Sequence, residues 1–334
     1  MVTTNEAEPI NVVYTCFDYT SVISIASLLQ VEAKNGRPNI SLFILLDPRG
    51  TRDFSYIQKL AADYGASLTP LDASEVEATC AGLHVPSWGG HYLTYARLFL
   101  TDLLPQTTRV VFIDADTLIL RPIDPLWNTD LKGKAIAGVH EISYGSTKNP
   151  PLIEEGPRSG TLNGGVLLFD LAKLRSLHFL DTFIHCDVQK LVGKVVDQTF
   201  INEFFGDQIV YVDPVFNSYS LLHSYTYARY LKWSQTFRLF LKKQYKEAQK
   251  HPVIIHFNAG AYFRPWFQDN RSRYSGKWRR IYKRIYGVRF KPEPLEKGHG
   301  FSTWFYRKMT KAIVRFLPLG WSSWMLEHIH GFHE

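Results

Sequence analysis

Two aspartates one residue apart, Asp114-Ala115-Asp116, follow directly on the apolar run Val110-Val111-Phe112-Ile113. Carboxylates set side by side at the mouth of a buried strand repel each other unless a cation, an arginine or a proton lies between them. Hard divalent ions such as Mg2+ or Mn2+ suit such a pair, taking one or two carboxylates and completing their shell with substrate phosphates. The pair alone carries little weight, because 17 Asp in 334 residues give about one Asp-x-Asp by chance. The plainer reading is that one Asp caps a turn and the other is solvated. Position in the fold has to decide between them.

The elements around the pair alternate strand and helix. Asn11–Thr15 and Ile40–Leu46 read as strands, the second ended by the turn Asp47-Pro48-Arg49-Gly50, and Ser21–Ala33 and Phe54–Tyr64 have helical spacing. Ser67–Leu71 predicts a strand, Tyr92–Leu103 a helix, and Arg109–Ile113 a strand apolar on both faces, as in the centre of a parallel sheet. Leu162–Leu168 and Val253–His256 read as further buried strands, Tyr144–Gly160 as a Gly/Pro/Ser-rich loop, and 217–250 as a helical insertion over the site. The pattern is α/β with a mostly parallel sheet. Such sheets hold ligands outside the carboxyl ends of their strands. The stretches to inspect are therefore Cys16–Tyr19, Asp47, Asp114–Asp116, Asn163–Gly165 and His256–Gly260.

Composition narrows the classes. The chain is 45% apolar and 21% charged, which excludes disorder as its main state. No apolar run approaches the ~18 residues of a membrane span, and Met1–Pro9 is polar and acidic rather than a secretory leader. Cys16, Cys80 and Cys186 stand at unrelated spacings, neither a disulfide framework nor a zinc site. A reduced, cytoplasmic protein is the expectation. The net charge of +7 is uneven: residues 271–334 hold 14 Lys+Arg against 4 Asp+Glu, or +10, leaving −3 for the other 270.

Two enzyme classes place Asp-x-Asp after an apolar strand. Haloacid-dehalogenase-type phosphotransferases want Thr or Val two residues past the second Asp, where this chain has Leu118, and acidic residues late in the chain, commonly adjacent, whereas this chain has no Asp-Asp pair. Nucleotide-sugar transferases with one Rossmann-like domain are the other class. Five segments in order fit them: Tyr95-Ala96-Arg97-Leu98, Phe112-Ile113-Asp114-Ala115-Asp116-Thr117-Leu118, Leu162-Asn163-Gly164-Gly165-Val166-Leu167-Leu168, Val196-Asp197-Gln198, and Ile255-His256 running to Arg264-Pro265-Trp266. Over roughly Val12–Trp266 the chain resembles the retaining glycosyltransferases of family 8, which include lipopolysaccharide galactosyl- and glucosyltransferases and glycogenin-like enzymes.

The resemblance implies a GT-A domain over 1–270, Mn2+ (or Mg2+), and a nucleoside-diphosphate-sugar donor, usually a UDP-hexose. It implies Asp114, Asp116 and His256 as metal ligands. Donor contacts would come from Thr15, Asp18, Tyr19, Arg97, Ala115, Asn163, Gly164, Gly260 and Arg264 beside the acidic pair, and the catalytic positions would be Asp197 and Gln198. Two departures stand out. The family's first strand ends in an acidic pair followed by Asn-Tyr, where this chain has Cys16-Phe17-Asp18-Tyr19, so the base that is read stays open. His256 and Arg264 are eight residues apart where the family has six, and Arg replaces a Lys, keeping the charge with a bidentate grip on phosphate.

Each position has a structural alternative. His256 reads equally as a satisfied core histidine, Asn163-Gly164-Gly165 as a tight turn or bulge, Arg97 as the partner of a helix-borne acid, and Asp197-Gln198 as a plain helix start. In the tail, Trp278, Tyr282 and Ile285 line one helix face beside Arg279, Arg280, Lys283 and Arg284, and Phe305, Met309, Ile313 and Phe316 line a second. Basic amphipathic helices with aromatics suit an anionic membrane surface; the alternative is packing on the catalytic domain. Nucleic acid is not expected as a partner, since no recognised motif accompanies the charge. The sum is a hexosyltransferase acting on a glycan or glycolipid acceptor of the cell envelope, peripheral on the cytosolic membrane face. A phosphotransferase and a non-catalytic nucleotide-sugar-binding protein are the competing classes.

Overall fold

A computed structural model describes residues 8–16, 18–36, 39–47, 50, 53–87, 90–141, 161–191, 196–233, 239–258, 263–268, 270 and 272–294. The strands are β1 Ile10–Cys16, β2 Ile40–Leu46, β3 Ser67–Asp72, β4 Arg109–Ile113, β5 Thr117–Ile119, β6 Ile136–Glu141, β7 Thr161–Asp170, β8 Ile209–Tyr211, β9 Ser218–Tyr219 and β10 Ile254–His256. Seven of them form the main sheet in the order β3-β2-β1-β4-β7-β6-β8. β3, β2, β1 and β4 are parallel, and β6 pairs parallel with β8. β7 alone runs against both its neighbours, β4 and β6.

That reversal positions the site. In the β4–β7 register Ile113 lies opposite Val166, so Asn163-Gly164-Gly165, near the start of β7, sit beside the carboxyl end of β4. The Asp114 N–H donates to the Gly165 carbonyl at 2.8 Å, carrying the pairing one residue past the strand. These residues belong at the ligand-binding edge because their strand is antiparallel, not because they follow a strand.

A second sheet, β5-β10-β9, gives a different place to Val253–His256 from the one its apolar pattern suggested. β10 is outside the main sheet and antiparallel to β5, with His256 opposite Thr117. The Phe257 N–H donates to the Asp116 carbonyl at 2.9 Å. A strand of three residues thereby locks the imidazole beside the second aspartate.

Apolar packing fills both faces of the main sheet. Val12, Tyr14, Cys16, Val111 and Ile113 join one core with the helix Tyr19–Lys34, while Val13, Val110 and Phe112 join the other with the helix Val196–Phe205. This is the two-sided burial that a continuous apolar strand implies. The helix Phe54–Tyr64 has the bounds its spacing predicts. Tyr92–Leu103 does not form one helix but a 3-10 segment, Leu93–Leu98, followed by a single turn, Leu100–Leu103. The 217–250 stretch is largely helical. It holds β9 and the helices Ser220–Ser224, Tyr227–Trp233 and Lys242–Lys250, around a third core of Tyr219, Tyr230, Phe240 and Tyr245. The 144–160 loop lies outside the described residues.

The basic helix Ser275–Tyr286 packs on the body of the protein. Trp278 and Ile281 are 1% and 4% exposed, in the same core as β1 and β4. Its first aromatic face is therefore used internally. The second face, Phe305–Phe316, lies outside the described residues.

Candidate active site

Asp114 and Asp116 sit in the turn between β4 and β5, and each is about a quarter exposed. His256 Nε2 lies 3.1 Å from Asp116 Oδ1 and 3.7 Å from Asp114 Oδ2. One ligand atom from each of the three residues falls within 4.8 Å of the others. The imidazole is 3% exposed and seated on the main chain of β7: a Cβ added at Gly165 would lie 2.1 Å from His256 Cε1. Gly165 is thus required where it stands, because no side chain fits between strand and ring. The alternative of a lone core histidine fails, since the ring faces both acids.

Charges set the titration of this group. Burial works against the His256 cation, but Asp116 and Asp114 together hold its pKa above the ordinary histidine value. Burial also works against ionised Asp116, yet the His256 charge and hydrogen bond, with Arg264 beyond, keep its carboxyl below the usual range. Asp114 goes the other way: burial raises it more than Arg97 and His256 lower it. Two carboxylates and an imidazole drawn together need positive charge among them. The donor set, two carboxylate oxygens and one imidazole nitrogen, fits a divalent ion of the Mn2+ or Mg2+ type.

Arg97 ties the acidic pair to the next element. Its Nη2 donates to Asp114 Oδ1 at 2.9 Å, its Nε lies 3.0 Å from Asp197 Oδ2, and its Nη1 donates to the Gly164 carbonyl. The guanidinium is 4.6 Å from the centre of the Phe112 ring. It is 6% exposed, and its pKa is raised because Asp114 and Asp197 outweigh burial. The Arg97 alternative, pairing with a helix-borne acid, is true as well: Asp197 stands in the first turn of the helix Val196–Phe205. Asp197 is 2% exposed, and its Oδ1 has no hydrogen-bond partner among the described residues. A buried carboxylate oxygen without a donor is costly unless a ligand supplies one.

Gln198, the next residue, is anchored at both ends. The Gly164 N–H donates to its Oε1 at 2.9 Å, and its Nε2 donates to Glu141 Oε2 at 3.0 Å. Asn258 Nδ2 reaches Glu141 Oε1 at 3.2 Å. Burial pushes the Glu141 carboxyl up, against the amides that hold it. Asn163 Oδ1 accepts from the Gly165 N–H and from Asn217 Nδ2, and Asn217 Oδ1 lies 3.0 Å from His256 Nδ1. Arg264 reaches within 4.0 Å of Asp116 while its guanidinium donates to the carbonyls of Phe257 and Asn258.

One connected group therefore holds Arg97, Asp114, Ala115, Asp116, Asn163, Gly164, Asp197, Gln198, His256 and Arg264. Thr15, Asp18 and Tyr19 belong to another joint. The Thr15 carbonyl accepts from Ser21 Oγ, and Asp18 Oδ1 caps the helix Tyr19–Lys34 through the Thr20 N–H and hydroxyl. The Tyr19 hydroxyl donates to Glu293 at 2.7 Å, and its ring lies edge-on to Trp278, Tyr282 and Phe290. Gly260 lies outside the described residues. Glu141 and Asn217 join the site unannounced by the sequence, while Asn258 lies within the His256–Gly260 stretch singled out there. Glu141 had a usable signal, an acid ending the apolar run Ala135–Val139, the same pattern that marked Asp114.

A model of glycosyl transferase family 8 matches residues 15–270. The chain is 25% identical to General stress protein A of Bacillus subtilis over 217 residues, 63% of this chain and 71% of that protein. It is 24% identical to the glycosyltransferase GlyF of Streptococcus pneumoniae over 62% of this chain, spanning under half of GlyF, 45%. The crystal structure of galactosyltransferase LgtC in complex with donor and acceptor sugar analogues shares its fold, with a TM-score of 0.60 at 19% identity, covering 85% of this chain and 98% of LgtC.

Proposed function

We propose that this chain, which belongs to glycosyl transferase family 8, is a metal-dependent glycosyltransferase that moves a hexose from a nucleoside-diphosphate-sugar, UDP-galactose or UDP-glucose, with retention. The acceptor is a glycan or glycolipid of the cell envelope. The observation that carries this reading is the meeting of Asp114, Asp116 and His256 within 4.8 Å, beside a buried Arg97–Asp197 pair. Asp114, Asp116 and His256 would hold Mn2+ or Mg2+, which when bound supplies Lewis-acid neutralisation of the departing diphosphate.

The chain's own residues account for the rest. Arg264 sets a fixed cation beside Asp116, where charge on the leaving diphosphate would develop. Asp197 Oδ1 offers a dry acceptor for a sugar hydroxyl. A double displacement needs a free carboxylate under the anomeric carbon. Asp197 is pinned by Arg97, and the Gln198 amide is held by Gly164 and Glu141. Both restraints favour attack by the acceptor on the face the diphosphate leaves.

The test is a panel of nucleotide-sugars with Mn2+, read for transfer to an added glycan or for donor hydrolysis. Turnover that requires the metal and prefers a UDP-hexose is expected. Binding without turnover, or phosphate release from simple monoesters, would put the chain in one of the two competing classes.

The reading extends to a membrane partner through 271–334. Among the described residues no helix is long and apolar enough to cross a membrane. On the helix Ser275–Tyr286 the exposed side chains include Arg280, Lys283 and Arg284, a cationic face suited to anionic lipid. Truncation at Asn270 is a poor test, because it strips Trp278 and Ile281 from the core. Reversing all three charges to Glu should reduce flotation with anionic liposomes severalfold at low salt while leaving the thermal transition in place. Equal flotation would remove this helix as the contact.

A further inference from the structure

Asn217 is completely buried at the end of the 3-10 turn Pro214–Asn217, and its amide touches two other polar side chains. Its Nδ2 lies 2.6 Å from Asn163 Oδ1, and its Oδ1 lies 3.0 Å from His256 Nδ1. An amide fits density or geometry either way round, so its direction has to come from a neighbour whose role is fixed. The Gly165 main-chain N–H is such a neighbour. It only donates, and it stands 2.9 Å from Asn163 Oδ1. Asn163 Oδ1 is therefore an acceptor, and the Asn217 atom against it must be the NH2 group. The Asn217 atom facing His256 is then a carbonyl oxygen, which only accepts. His256 Nδ1 must carry a proton, whatever Nε2 carries toward Asp116. The far end agrees: the Asn163 amide also bonds the Glu141 carboxylate, an acceptor when ionised.

We propose that Asn217, aligned by Asn163, is a positioning residue that keeps a proton on His256 Nδ1, so that Nε2, facing Asp114 and Asp116, is the nitrogen left to give up its proton. Neutral imidazole has one donor and one acceptor nitrogen, and the bond made by one decides what the other offers. Ligating histidines ordinarily give their second N–H to a carboxylate, a carbonyl or water. Here a buried side-chain amide does this, from the 217–250 stretch, and the register runs back to one backbone N–H on β7. The seat on Gly165, too close for a Cβ, confines the ring in the plane where both bonds are made. The consequence for metal affinity rests on the functional reading above; the tautomer does not.

The experiment uses the full chain with 15N-labelled histidine, stripped of metal with EDTA. Long-range 1H–15N spectra are recorded at alkaline pH, where the imidazole is neutral, with His256 assigned by its loss in His256→Gln. The wild type should show a protonated Nδ1 and a bare Nε2. Asn217→Leu should populate both tautomers and lower Mn2+ affinity, measured by calorimetry with the metal alone, about 10–100-fold. Asn217→Asp keeps an acceptor against Nδ1 but sets a second oxygen against Asn163 Oδ1, so it should retain the Nδ1 proton and recover part of that loss. A wild type protonated on Nε2 overturns the proposal without any variant, and so does Asn217→Leu with unchanged tautomer and affinity. If the wild type carries its proton on Nδ1 yet binds no Mn2+, the relay stands and the metal reading falls.

Discussion

Asp116→Asn is expected to cut sugar transfer by about a thousandfold or more, roughly 4 kcal/mol of transition-state stabilisation. Asn keeps the volume and one oxygen but loses the charge. Asp116 is the nearer of the two acids to His256, at 3.1 Å, and the one acid paired with Arg264. Its loss takes an anionic donor from the proposed metal site and removes the largest of the charges that raise the His256 pKa. The fold should survive, because Asp116 is partly exposed and its carbonyl, which carries the Phe257 hydrogen bond, is untouched. Turnover measured with saturating Mn2+, beside circular dichroism and the thermal transition, checks both halves. Near-normal transfer by this variant would falsify the metal assignment.

The same pair gives a signed pH dependence in metal-free protein. His256 has its pKa raised in the folded state, so its contribution is full below the ordinary histidine value and is lost as pH rises through the folded value. Asp116 has its pKa lowered, so its contribution is full above the ordinary carboxylate value and is lost as pH falls through the folded one. The stability advantage of wild type over Asp116→Asn should therefore be widest between those limits and narrow toward either end. Denaturant unfolding of EDTA-treated protein across pH measures it. An advantage that keeps growing at alkaline pH contradicts the pairing.

How much of this was legible in the sequence depends on how each residue is held. Asp114, Asp116 and Asp197 sit where an apolar run or a helix start announces them, and Arg97 lies in a short motif that names its neighbourhood. His256 needed the family's order to lift it above an ordinary buried histidine. Asn217 has no periodicity to betray it, because it is recruited by a tertiary hydrogen bond across dozens of residues. β5, β9 and β10 have three, two and three residues, too few for a period of two to register, so the small sheet that carries His256 was invisible as a sheet. Tyr19 has contacts that its local sequence does not report. Its place after the first strand suggests a ligand contact, but its hydroxyl and ring are engaged by Glu293 and the aromatic cluster of the last described helix. No local pattern reports a partner 274 residues away.

Arg97→Met carries the largest expected cost in stability. The side chain is similar in length, but it leaves Asp114 and Asp197 without the cation that joins them and the Gly164 carbonyl without its donor. Breaking a buried pair by removing one partner typically costs about 3–5 kcal/mol, here a fall of about 5 °C or more in Tm. The sign with pH follows from Asp114, whose folded pKa is already raised by burial. Without Arg97 it rises further, so the deficit should be full at neutral pH and shrink on acidification as the carboxyl protonates. Arg97→Lys keeps a charge but replaces the planar fork with a single point of contact. It should recover part of the Tm and little of the turnover, since one ammonium does not serve Asp114, Asp197 and Gly164 at once. The double variant Arg97→Met/Asp197→Leu separates charge burial from chemistry. Replacing both members of a buried pair by apolar groups is often neutral, so it should regain the part of the lost stability that comes from stranding Asp197, while remaining inactive. If it stays as unstable as Arg97→Met, the cost lies in Asp114, the Gly164 carbonyl or the packing against Phe112 rather than in a stranded Asp197.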